Sequence, residues 1–222
     1  MAAAPVARTG GTPGRATARR PAGLWSGVGG SEWYLTVPPG WRPLPAGGAD
    51  KLSDRRVVLA EPPGAFRYDV RAVSEPYGAE DGELYVDVVS EHDWYRSRIR
   101  KEPVRTSPYR LDRVWVEQGE QVEATPAETP PSGVFERLVT PDVPPERPPR
   151  RAGDVPDLAG RRVVVVQPGG PIRHRRAVSE PYLDADGDVA VTICSEHDWY
   201  RWVITREPPR AEPCPLYLIW VE

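Results

Sequence analysis

Apolar residues recur at every second position over short stretches of this chain, the spacing of half-buried strands rather than of helices. In the first half the alternation marks strands over Val57–Leu59, Tyr68–Val73, Leu84–Val89, Trp94–Ile99 and Arg113–Glu117. In the second half it marks Val163–Val166, Arg173–Val178, Val189–Cys194, Trp199–Thr205 and Tyr217–Val221. Asp81-Gly82 and Asp186-Gly187 are turn dipeptides ahead of the third strand of each set, and Ser-Glu-His-Asp reads as the tight turn into the fourth.

The two sets are copies of each other. Arg71-Ala-Val-Ser-Glu-Pro-Tyr77 recurs as Arg176-Ala-Val-Ser-Glu-Pro-Tyr182, and Ser90-Glu-His-Asp-Trp-Tyr-Arg96 as Ser195-Glu-His-Asp-Trp-Tyr-Arg201. Without a gap, residues 71–117 and 176–222 agree at 26 of 47 positions, far above chance. Arg55-Arg-Val-Val58 matches Arg161-Arg-Val-Val164 one residue out of step, so a single insertion falls in the loop between. Glu32–Pro38 and Val134–Pro141 read as a further short strand opening each copy. The predicted organisation is a disordered tail over 1–30, one β module over 31–117, a proline-rich linker over 118–131 and a second β module over 132–222.

Composition narrows this picture. The chain has 222 residues with 28 Pro and 20 Gly, which excludes a helical bundle or a coiled coil. No apolar run is long enough to span a membrane, and the Arg-bearing start lacks the apolar stretch of a secretory signal. The expected location is the cytoplasm. Cys194, on the outward register of its strand, and Cys214, behind a proline, are then reduced thiols. The expected fold is all-β, two tandem small barrels. The order of strands and Gly/Pro loops (Pro62-Pro-Gly64; Pro168-Gly-Gly170) resembles SH3-like barrels of the KOW or Tudor kind. That resemblance implies binding to nucleic acid, ribosomes or peptides.

Charge selects among these partners. Residues 46–117 carry 12 basic against 14 acidic side chains, and residues 152–222 carry 8 against 11. Modules with such a balance repel a phosphate backbone, so generic DNA binding is disfavoured. Strand alternation would turn Val114, Val116, Ile219 and Val221 inward, and Trp115 and Trp220 outward. With Trp94, Arg96, Trp199 and Arg201 these residues would form an outward shelf of two tryptophans and an arginine on each module. Such a shelf suits a protein or peptide partner, including a second copy, through stacking and cation–π contact. The alternative is RNA or ribosome contact through Arg98, Arg100, Lys101, Arg105 and the basic tail.

Glu91, His92 and Asp93, with Glu196, His197 and Asp198, are the only pattern resembling acid–base chemistry. Neighbours in a strand point to opposite faces, so these letters read as turn residues rather than a triad or a metal site. Glu75 with Arg71, and Glu180 with Arg176, would form exposed ion pairs on one face. The function expected is non-enzymatic binding, with no cofactor and no metal.

Overall fold

The computed structural model describes residues 33–122 and 143–222. The tail over 1–30, the strand expected within 134–141 and linker residues 123–131 lie outside the described residues. The described residues form two similar antiparallel sheets of seven strands, one in each repeat.

In repeat one, β1 (Gly40–Pro45) is followed by β2 (Arg56–Glu61), β3 (Ala65–Ala72), β4 (Tyr77–Gly78) and β5 (Leu84–Ser90). Helix α1 (Glu91–Arg100), β6 (Ser107–Arg110), a 3-10 turn at Leu111–Arg113 and β7 (Val114–Val122) complete it. Strands β2, β3, β5 and β6 pair in succession, and β7 returns to lie between β2 and β1. Repeat two runs β8 (Arg150–Arg151), β9 (Arg162–Val165), β10 (Ile172–Ala177), β11 (Tyr182–Leu183) and β12 (Val189–Ser195). Helix α2 (Glu196–Thr205), β13 (Ala211–Pro215) and β14 (Ile219–Val221) follow, and β14 again returns to the first long strand, β9.

Three expectations are corrected. The fourth strand of each set is a helix. Tyr95 and Ile99 stand four apart, a spacing that serves either one face of a strand or one face of a helix, and the end signals decide for the helix. Ser90 and Ser195 cap it, their hydroxyls accepting the Asp93 and Asp198 amide N–H at 3.1 and 3.0 Å. Lys101 and Arg206 close it in the left-handed conformation. Second, residues 33–35 form a 3-10 turn rather than a strand. Third, β7 runs on to Val122, through the start of the segment read as linker. Gly119 permits that extension: a Cβ there would stand 2.5 Å from the Arg42 carbonyl oxygen, where β1 bulges toward β7.

Each sheet encloses its own core at matching positions. Leu52, Val57, Ala72, Val86, Val114 and Val116 in repeat one are answered by Leu158, Val163, Ala177, Val191, Ile219 and Val221. The expected inward register of the last strand therefore holds. Cys194 lies on the face opposite its core neighbours Val191 and Ile193, as expected, but α2 packs on β10 and β12 and removes that face from solvent. Burial pushes the Cys194 thiol up to about 11 and Cys214 up to about 12, and both are free cysteines. Among the described residues no helix is long and apolar enough to cross a membrane.

Candidate functional site

The cap that starts each helix also aims its first residue. Glu91 and Glu196 sit at the first helical position, where the helix dipole favours an anion, yet both are buried. They meet where α1 packs against α2, with the equivalent Tyr95 and Tyr200 rings stacked at 4.1 Å and an interplanar angle of 15°. Arg56 spans the two repeats: its Nε–H donates to Glu91 Oε1 at 2.6 Å and its Nη2–H to Glu196 Oε2. Arg71 Nη2 lies 2.9 Å from Glu91 Oε1. Arg176 Nη2–H donates to the Tyr200 hydroxyl at 2.9 Å and to Glu91 Oε2 at 3.4 Å, and its Nε is 3.4 Å from Glu196. The Tyr200 hydroxyl donates to Glu91 at 3.1 Å. Three guanidiniums thus hold two carboxylates between the repeats.

Burial pushes the Glu91 carboxyl upward, but the Arg56 charge and hydrogen bond, with Arg71 and Arg162, bring it below its ordinary value of 4.5. Burial and the Glu196 charge raise the Tyr95 phenol to about 12, and Tyr200 is raised further. A carboxyl depressed by folding contributes stability above its unfolded pKa and loses it as pH falls through the folded one. Urea unfolding midpoints are therefore expected to be insensitive to this group near neutrality and to fall below about pH 4.5. In Glu91→Gln that decline should be shallower. An equal acid slope in both proteins would remove Glu91 as its source.

A second contact joins the repeats at Trp41 and Arg147, which occupy the same place in the two copies and form an isolated antiparallel bridge with each other. The Arg173 guanidinium stands 4.9 Å from the Trp41 ring, and that of Arg147 stands 4.4 Å from the Tyr68 ring. Tyr68 and Arg173 are also equivalents. One cation–π pair is thus made twice, with aromatic and cation exchanged. These side chains line a narrow inter-repeat groove together with Glu117, Arg162 and Glu222.

The expected tryptophan shelf is redistributed. Trp220 takes the face opposite the core, but it is 4 % exposed and packs on Val164 and Val166, so it offers no open surface. Trp115 is half-buried, with its indole nitrogen out of solvent and unpartnered. Trp94 and Trp199 instead flank the stacked tyrosines on the helices. Helical geometry also separates Arg96 and Arg201 from these indoles, and they pair with Asp93 (3.3 Å) and Glu207. The cations on the indoles are Arg71 and Arg98 over Trp94 and Arg176 over Trp199.

Of the alternative basic cluster, Arg98 pairs with Asp54 at 2.6 Å and Arg100 donates to the Ile204 carbonyl at 3.1 Å, and both are exposed together with Lys101 and Arg105. His92 and His197 are exposed, 3.6 and 3.9 Å from Asp93 and Asp198, and the capping role of those aspartates explains the motif. Glu75 and Glu180 do not pair with Arg71 and Arg176. Each accepts two backbone N–H bonds, from Leu52 and Ser53 and from Leu158 and Ala159. Among the described residues no group of His, Cys, Asp and Glu could hold a metal ion.

No family model, curated protein or solved structure matches this chain. Sequence reasoning missed Arg56, Arg71, Arg176, Tyr95 and Tyr200 as one cluster. The signal for it was their recurrence in both copies, with Arg162 as the counterpart of Arg56.

Proposed function

We propose that this chain is a non-enzymatic cytoplasmic binding protein that engages a protein or peptide partner through tryptophan–arginine faces on its two helices. The observation that carries the reading is the duplicated Trp–Arg unit, Trp94 with Arg71 and Trp199 with Arg176, fixed beside a shared buried ion cluster. A stiffly held indole beside a guanidinium offers contact area at little entropic cost. Each repeat is read here as an SH3-like barrel with a helix inserted before its fourth long strand. Supporting that reading are the four-strand meander, the 3-10 turn and the return of the last strand to the first. The excess of acidic over basic side chains in both repeats weighs against the RNA alternative.

The test is capture from native extract with and without nuclease. A protein retained after nuclease, lost with Trp199→Ala and kept with the exposed Glu102→Ala, is the expected result. Equal capture by Trp199→Ala, or recovery only of material that nuclease removes, would overturn it. Circular dichroism of each variant separates lost binding from lost folding.

A further inference from the structure

The two repeats complete the same indole differently. In repeat one two guanidiniums cover Trp94, with Arg71 Cζ 4.2 Å and Arg98 Cζ 4.4 Å from the ring centroid. Asp54 closes the unit, its Oδ1 accepting the indole N–H at 3.0 Å and an Arg98 N–H at 2.6 Å. Repeat two keeps only the inner half. Arg176, the counterpart of Arg71, stands 4.5 Å from the Trp199 ring, while Val203 and Gly160 occupy the positions of Arg98 and Asp54.

Among the described residues no second cation lies over Trp199 and no acceptor takes its indole N–H. Trp199 is half-buried, so part of its indole meets solvent. The backbone nevertheless keeps the shape of the filled site. Gly160 has φ +84° where Asp54 has φ +68°, and a Cβ on Gly160 would stand 3.7 Å from the Trp199 ring. Glu91 and Glu196 each lie 3.4 Å from the Arg176 guanidinium but are shared with Arg56 and Arg71, so a second cation over Trp199 needs a carboxylate beside it, as Asp54 stands beside Arg98.

We propose that the Trp199 face is a docking site for an arginine side chain of a protein or peptide partner, with a partner carboxylate beside it accepting the indole N–H. Repeat one displays the occupant in intramolecular form: Arg98 is the docked guanidinium and Asp54 the carboxylate. A guanidinium is selected over an ammonium because its plane stacks on the indole while its edge donates to the carboxylate. Since repeat one is already filled, each chain takes one arginine. The inference rests on the partner-binding reading above and names the chemistry of that partner.

The test titrates the ¹⁵N-labelled full chain with N-acetylarginine, which carries both groups, and with N-acetylcitrulline, its uncharged isostere. The indole N–H resonance of Trp199, assigned by its loss in Trp199→Phe, is expected to move saturably with arginine and to show about tenfold weaker binding of citrulline. Gly160→Asp with Val203→Arg copies the filled site into repeat two and is expected to abolish the titration while unfolding stays cooperative. Val203→Arg alone, on the half-exposed helix surface, serves if the double variant does not fold. An unmoved Trp199 resonance, an equal response to citrulline or undiminished binding by the folded blocking variant overturns the proposal. No partner protein is present in this titration, so its failure is distinguishable from a failure of capture and leaves the capture result standing.

Discussion

Glu91→Ala is expected to lower the free energy of unfolding by about 3–5 kcal/mol. The Glu91 side chain is fully buried and faces Arg56, Arg71 and Arg176, so its removal leaves guanidiniums without compensation in a place water does not reach. For a chain whose total stability is of the order of 5–15 kcal/mol, the loss brings the protein near its unfolding threshold. Urea denaturation at pH 7 measures it. The interaction is shared, so the pair Glu91→Ala with Arg56→Met should cost less than the two single changes added together. A single-variant loss under about 1 kcal/mol would mean that water or a rearranged Glu196 already satisfies those arginines.

Tyr200→Ala is the second large effect, at about 3–5 kcal/mol, the usual cost of removing a buried aromatic side chain. It empties one half of the stack with Tyr95 and takes the hydroxyl from both Glu91 and Arg176. Tyr200→Phe divides these contributions. It keeps the ring and should cost only about 1–3 kcal/mol, the penalty of leaving buried polar partners short of one hydrogen bond. Thermal or urea unfolding of the two variants side by side checks the ratio. Equal losses would assign the whole effect to the hydroxyl.

The parts of the fold that could be read along the chain are those governed by neighbours in sequence. Val57, Val114 and Val116 alternate as strand residues should, and they are core. The helix was hidden because Tyr95 and Ile99 satisfy two periods at once. The Ser90-to-Asp93 capping spacing was visible but resembles a turn. The site was harder to read, because Glu91 draws its partners from β2, β3 and the other repeat, at separations of 35, 20 and 85 residues. No local pattern records such a meeting. Trp220 fails as an outward residue for a related reason: its strand alternates correctly, but the face opposite the core is itself covered.

The exchanged pair at the second contact carries a consequence for how chains assort. If two copies of repeat two met in the same geometry, Arg147 of one would oppose Arg173 of the other, cation against cation. Two copies of repeat one would bring Trp41 to Tyr68, with no cation at all. Only unlike halves satisfy both positions. The duplication has thereby lost part of its interchangeability: at this contact only the unlike pairing sets a cation over each ring, and two second repeats would oppose like charges.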